Sequence, residues 1–309
     1  MYFFSYITIF FFSSILSLTQ IKKEEITIEN GSIQLPGTLT YTEDNSPLII
    51  WVHGSGNIDR NGNQKPMVNA NYIEQFRVEI NKKGIAFFSY DKRTSNSANM
   101  KIIQKEGIVF NDFVNDVKKV IQHFKKDNRF SEIILIGHSQ GSLIAMLAAE
   151  NVNKYISLAG AGETIDKTLI RQVSKQSVAY GKIIETHIKE LKETGEIKKV
   201  NPNLLSLFAK PNQPFMASWM KVNPIEEIKK LSIPVLIING DKDIQVRVED
   251  ANNLHDAKPD ATFIIVKNMN HVLKDIEKDE DNIKSYMTPD FKISEELVEV
   301  ISKFIKTKV

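Results

Sequence analysis

The sequence predicts an α/β protein: a mostly parallel sheet with helices on both faces and a helical insertion late in the chain. Three observations predict it. Short apolar runs recur from Pro47 onward, and they are unbroken rather than alternating, as strands covered on both faces should be. Amphipathic stretches of helical period lie between them, and strand–helix alternation implies parallel strands joined by crossovers. One interval, between "YISLAGAG" and "IPVLIING", holds about 70 residues, far more than a single crossover needs.

Taken in order, the first segment is "MYFFSYITIFFFSSILSLTQ", apolar and without charge until Lys22. Residues 1–19 predict an export signal, with Ser17 and Thr19 at the −3 and −1 positions of a cleavage site before Gln20. Cleaved, the chain is expected to be periplasmic or secreted, without stable membrane association. No Lys or Arg precedes the apolar run, and ~18 such residues nearly span a bilayer, so an uncleaved segment would act as an anchor. Residues 24–42, "EEITIENGSIQLPGTLTYT", alternate apolar and polar around Asn30-Gly31 and predict two antiparallel strands. Buried strands follow in "PLIIWVHG" (47–54), "GIAFFSYD" (84–91), "EIILIGHS" (132–139), "YISLAGA" (155–161), "IPVLIING" (233–240) and "TFIIVKN" (262–268). Helices are expected over 112–126, with Phe113, Val117, Val120, Ile121 and Phe124 on one face, and over 140–150. A last one, over 294–306, begins at Ser294.

The long interval predicts a cap over about 164–230, inserted into a domain that spans 24–309. Within it, 166–194 reads as one charged amphipathic helix ended by Gly195. The segment 203–220 is rich in large apolar residues, among them Phe208, Phe215 and Trp219, and is broken by Pro211 and Pro214. Such residues either pack the cap onto the body or line an apolar pocket.

Composition narrows the chemistry. The 42% apolar and 25% charged fractions are those of a globular protein. The 40 basic and 38 acidic residues leave a net charge of +2, which gives no electrostatic case for nucleic acid. With no cysteine, disulfides, thiolate nucleophiles and zinc–thiolate sites are excluded.

The stretch "LIGHSQG" (135–141) sets Ser139 between Gly137 and Gly141, with a strand before it and a helix after it. That setting is what a G-x-S-x-G turn requires to expose a nucleophilic hydroxyl above the sheet edge. A serine nucleophile also needs a base, a group that orients the base, and an oxyanion site. Of the six histidines, His271 alone sits on a loop just past a late strand, in "VKNMNH". His138 lies inside the turn, His53 ends a strand, and His123, His187 and His255 fall in helical patterns. The loop "IINGDKDIQV" offers two carboxylates, Asp241 and Asp243, and either one fits the order serine, acid, histidine. The oxyanion donors are expected to be the N–H of Gln140 and the N–H of Ser55 in "WVHGSGNIDRNG", with Gly54 as the second choice. Asp59, Arg60, Asp91, Lys92 and Arg93 lie in two neighbouring loops. There they pin those loops by charge-assisted hydrogen bonds, or an arginine meets an anionic substrate.

These residues make a linked set: "HGSGNIDR" (53–60), "YDKRT" (90–94), "GHSQG" (137–141) and "GDKDIQV" (240–246). Over essentially 24–309 the chain resembles the α/β-hydrolase superfamily, and more narrowly a group of bacterial serine carboxylesterases with HGSGxxDR, YDKRT and GxxDxQV motifs. The resemblance implies a triad of Ser139, Asp243 and His271, with Asp243 rather than Asp241 as the acid. It also implies hydrolysis of short-chain carboxylic esters through an acyl-enzyme, a small-molecule ester substrate, no metal and no cofactor. A serine amidase or peptidase, an acyl thioesterase, or a non-catalytic binding member would share the fold.

Overall fold

The structure is a computed structural model, and it describes residues 20–307. The signal predicted over 1–19 lies outside the described residues. Among the described residues the main sheet has eight strands: β1 (Lys22–Asn30), β2 (Ile33–Tyr41), β3 (Ser46–Val52), β4 (Ala86–Tyr90), β5 (Phe130–His138), β6 (Lys154–Leu158), β7 (Val235–Gly240) and β8 (Thr262–Val266). Their order across the sheet is β1-β2-β4-β3-β5-β6-β7-β8. The hairpin β1–β2 turns at Asn30-Gly31 as its sequence predicts, and β2 pairs antiparallel with both β1 and β4. From β4 through β8 every pairing is parallel.

The central parallel strands are mostly apolar because both of their faces are covered. Leu48, Ile50 and Val52 of β3 point to one side. They join Leu135 and Ile237 against Phe113, Val117, Val120, Ile121 and Phe124 of α1 (Phe110–Phe124). Ile49 and Trp51 point to the other, with Ile134, Ile136, Ile156 and Ile238. There they meet Leu297, Ile301 and Ile305 of the C-terminal helix Glu295–Lys306. β8 departs from the prediction. As the edge strand it has a covering neighbour on one side alone, and all its residues but Val266 are partly or wholly exposed.

The insertion between β6 and β7 is helical, and its first half is two helices rather than the single one read from 166–194. These are Ile165–Gln176 and Val178–Thr194. Ser177 separates them in an extended conformation, and its side chain accepts from the Tyr180 N–H at 3.4 Å. An amphipathic period continues across such a break, because both helices turn their apolar faces toward one cluster built on Ile184, Ile188, Leu191, Phe208 and Met216.

Close backbone approach sets the centre of the molecule. α2 (Gln140–Ala148) follows β5 directly, and its Gly141 presses against β3: a Cβ there would lie 2.2 Å from the Val52 carbonyl oxygen. Backbone cannot yield as a side-chain tip can. Gly141→Ala is therefore expected to lower the unfolding free energy by about 1–3 kcal/mol, read as an earlier urea midpoint. A midpoint equal to that of the parent chain would show that this contact is slack.

Candidate active site

The motifs identified in the sequence converge at one edge of the sheet. Gly54 follows β3, Lys92 follows β4, Ser139 follows β5, Asp243 follows β7 and His271 follows β8. All five positions lie past the carboxyl ends of parallel strands, where open α/β sheets form their ligand crevice.

Ser139 occupies the turn between β5 and α2 with φ 55° and ψ −122°, a positive-φ conformation that L-residues avoid. Its N–H donates to the Leu158 carbonyl at 2.9 Å, which ties the turn to β6. Gly54 lies against it: a Cβ on Gly54 would stand 3.1 Å from Ser139 Cβ. The strain persists because strands on both sides and the following helix hold the turn in place.

His271 Nδ1 donates to Asp243 Oδ2 at 2.7 Å, and both side chains are buried. The other Asp243 oxygen accepts from the N–H groups of Gln245 and Val246 at 2.8 and 2.9 Å. Asp241 does different work. It is exposed, and its carboxylate accepts from the Asn268 N–H at 2.6 Å, clamping the loop after β7 to the loop that carries His271. The structure thus brings Asp243 and His271 together and leaves Asp241 at the rim. Ser139 and His271 line the same cavity, but no hydrogen bond joins their side chains.

The residues of the two expected oxyanion donors border this same space. Ser55 and Gln140 both line the cavity, and among the described residues neither backbone N–H finds an acceptor. Gln140 opens α2, so its N–H has no intrahelical partner by construction.

The charged loop residues hold the site together. Arg60 grips Asp91 through Nε and Nη2 at 3.0 and 2.8 Å, and its own N–H adds a third bond at 2.9 Å. Burial raises the Asp91 carboxyl, but the hydrogen bonds and charge of Arg60 outweigh it and hold the group below its ordinary range. Arg93 does not bridge the two loops. It forms a buried bidentate pair with Asp116 of α1 at 2.6 and 2.7 Å. Between these pairs stands Lys92, buried, with its ammonium 4.6 Å from the centre of the Phe113 ring. Burial pulls Lys92 down to about 7, with no carboxylate beside it among the described residues.

Two histidines that the sequence reading set aside are structural parts of the site. His138 Nε2 donates to the His271 carbonyl at 2.8 Å and stacks on Trp51, so the residue before Ser139 fixes the backbone of the candidate base. Burial drives its imidazole well below the usual histidine range, which leaves Nε2 as the donor of a neutral ring. His53 Nε2 donates to the Tyr90 carbonyl, and burial lowers it to about 4. The signal for both was present in "WVHG" and "GHSQG": a histidine beside a glycine where two strand ends meet.

The cavity has a volume of about 780 Å³ and an apolar wall that includes Phe113, Leu169, Phe215, Met216 and Trp219. Phe215 and Trp219 pack on Phe110 and Phe113 and so both fasten the cap and face the cavity. Phe208 does not reach it; it is buried within the cap cluster. A two-strand hairpin of Asn63–Gln64 and Val68–Asn69 brings Gln64 and Met67 to the opposite rim, an element without a strand-length run to announce it.

A family model described as BD-FAE matches residues 33–257, from the start of β2 through the helix that precedes β8. The chain belongs to the BD-FAE family. The family match contains Ser139 and Asp243 and ends before His271. Among curated relatives, Esterase EstD of Thermotoga maritima is 24% identical over 234 residues, which cover 74% of this chain and 54% of EstD. Probable aminopeptidase YbaC of Bacillus subtilis is 23% identical over 176 residues, covering 55% of this chain and 47% of YbaC. The chain thus spans about half the length of the curated relatives it matches. Among solved structures, an esterase of Pyrococcus furiosus superposes with a TM-score of 0.57 at 15% identity, over 94% of this chain and 91% of that one. Est1E from Butyrivibrio proteoclasticus gives 0.54 at 17% identity, over 91% and 96%. These likenesses are likenesses of fold.

The neutral histidines have a consequence for stability. The unfolded chain takes up a proton at His53 near the usual 6.5, and the folded chain refuses it until about 4. Stability associated with this group is thus complete above pH 6.5 and is lost as pH falls through that window. His53→Gln keeps a donor for the Tyr90 carbonyl and cannot titrate. Urea unfolding of the variant between pH 6.5 and 4 is expected to show a shallower loss of stability than the parent; an unchanged slope would remove His53 from the account.

Proposed function

We propose that this protein is an exported serine hydrolase that cleaves carboxylic esters with short acyl groups through an acyl-enzyme. One observation above the others supports the reading. A strained serine, Ser139, shares a cavity with a histidine whose Nδ1 donates to a buried carboxylate. In this mechanism Ser139 Oγ attacks the ester carbonyl while His271 Nε2 takes its proton. Asp243 holds the imidazole in the tautomer that leaves Nε2 free and balances the imidazolium that forms. The N–H groups of Gln140 and Ser55 receive the oxyanion, and their preorganisation lowers the barrier. The C–O bond to the leaving alcohol breaks as His271 returns the proton. Water, activated by the same histidine, then releases the acid.

The names of EstD, Est1E and the Pyrococcus esterase agree with an ester substrate, and one structure of Est1E holds ferulic acid. The apolar wall around Phe215 and Trp219 suits an apolar part of such an ester. Export rests on the uncharged apolar run before Lys22. YbaC brings a second reading, removal of an N-terminal residue from a peptide. Such a substrate presents an ammonium group, and its recognition calls for a carboxylate in the pocket. Among the described residues that line the cavity none is Asp or Glu, which favours the ester.

Ser139→Ala tests the nucleophile. Hydrolysis of an aryl acetate is expected to fall to background and labelling by a fluorophosphonate to disappear, with the melting temperature held. Turnover that survives in the folded variant would sink the mechanism. Matched ester and amide substrates separate the two readings.

The carboxylates separate in a second experiment. Asp243→Asn can offer its amide N–H to the imidazole and select the wrong tautomer, so kcat is expected to drop by about 10⁴. Asp241→Asn touches only a rim hydrogen bond and is expected to cost far less activity. The reverse ranking in steady-state assays would show that the acid is misassigned.

A further inference from the structure

Lys92 is buried and has no acidic partner among the described residues, and the mechanism above does not use it. Its amine makes two hydrogen bonds, to the Gly54 carbonyl at 2.7 Å and to Gln140 Oε1 at 2.8 Å. Those acceptors belong to the two places from which the oxyanion donors come. The Gly54 carbonyl and the Ser55 N–H are the two ends of one peptide unit, and in a trans peptide they point in opposite directions. A carbonyl aimed at a buried amine therefore turns the Ser55 N–H away from it. Ser55 is exposed at the cavity wall, and its N–H has no acceptor among the described residues. On the other side, the Gln140 side chain is held by the same nitrogen, one residue past Ser139 at the first position of α2.

We propose that Lys92 is the positioning residue of the oxyanion hole: one buried amine sets the direction of the Gly54–Ser55 peptide and locks it to Gln140, so that both N–H groups converge above Ser139. The proposal rests on the reading of Ser139 as an ester-cleaving nucleophile. Glycine suits position 54 in this arrangement, since the peptide passes against Ser139, where a Cβ would lie a tight 3.1 Å from the serine's own. Glycine also leaves the peptide free to rotate, and Lys92 removes that freedom.

The flanking residues explain how the amine keeps its place. Asp91 is held by Arg60, Arg93 by Asp116, and the Lys92 N–H itself donates to the Ile58 carbonyl at 3.3 Å. Phe113 of α1 lies beneath the amine. Three consecutive charged residues thus have three separate partners, and only the middle one turns toward the nucleophile. A neutral amine still has two hydrogens for these two acceptors, so the clamp does not require the charge.

Lys92→Met tests it, because methionine keeps the bulk and loses both donors. Relief from burying the amine opposes the loss of a donor to the Gly54 carbonyl and Gln140 Oε1, so the melting temperature is expected to change little. On an aryl acetate, kcat is expected to fall by about 10²–10³, the usual effect of losing an oxyanion donor. KM should stay within about threefold, since the interaction is made in the transition state. Inhibition by phenylboronic acid, whose tetrahedral serine adduct places an oxygen in the hole, should weaken at least tenfold. Lys92→Gln, with N–H donors on a shorter arm, should fall between parent and Lys92→Met, and it is read by the same assays if the methionine variant does not fold. Folded variants that keep parental kcat and boronate affinity would overturn the proposal, as would a lower kcat explained by a fall in melting temperature. Fluorophosphonate labelling of the parent at Ser139 keeps the two ideas apart. If the parent is not labelled, the ester-hydrolase reading itself fails. If it is labelled and the Lys92 variants stay fully active, only the role of Lys92 falls.

Discussion

The turn at Ser139 is the constraint on which the rest of this site depends. A serine with φ 55° is a conformation the chain would leave if it could, so its neighbours have to over-determine it. They do so by contact of backbone with backbone. Gly141 meets the Val52 carbonyl, a Cβ on Gly137 would overlap the Gly141 carbonyl oxygen at 2.4 Å, and the Ser139 N–H is bonded to β6. Three strands and one helix thus meet within a few ångströms because glycines let them. The apolar strand faces hold that junction rigid by packing against helices on both sides.

A second layer of order comes from charge. Loops after β3 and β4 are polar, the first of them glycine-rich, and such loops have little apolar burial to fix them. Here Arg60 with Asp91 and Arg93 with Asp116 supply directed, charge-assisted bonds in place of packing. The late loops are joined differently. Asp241 accepts from the Asn268 N–H, Gly240 allows the Met269 carbonyl within 1.9 Å of where a Cβ would be, and His138 holds the His271 carbonyl. Asp243 is thereby free to face His271 with one oxygen while its other oxygen is occupied by two backbone N–H groups.

The cap is a separate small core of its own, centred on Phe208, Ile184 and Leu191, and it meets the body through Phe215 and Trp219. That division separates residues that keep the cap folded from residues that also shape the cavity. It also explains why the apolar richness of 203–220 has two uses at once. Aromatic rings at the seam bury one face against Phe110 and Phe113 and present another to the cavity.

Much of this was legible in the sequence. Unbroken apolar runs located each parallel strand to within two or three residues, since burial on both faces favours that pattern in all of them but the edge strand β8. The G-x-S-x-G turn, the late histidine and the pair of carboxylates after "LIING" were readable as candidates because each sits just past a strand end. The sequence did not separate the two cap helices, because an amphipathic period runs unbroken past Ser177 when both halves face one cluster. Nor did it distinguish among Asp91, Lys92 and Arg93, three adjacent charges of equal standing on a loop. Only the tertiary structure decided that two of them are paired away from the cavity while Lys92 reaches Gly54 and Gln140. The reason is physical: hydrophobic period is a property of each segment alone, but the partner of a buried polar group is set by which distant loops the sheet brings together.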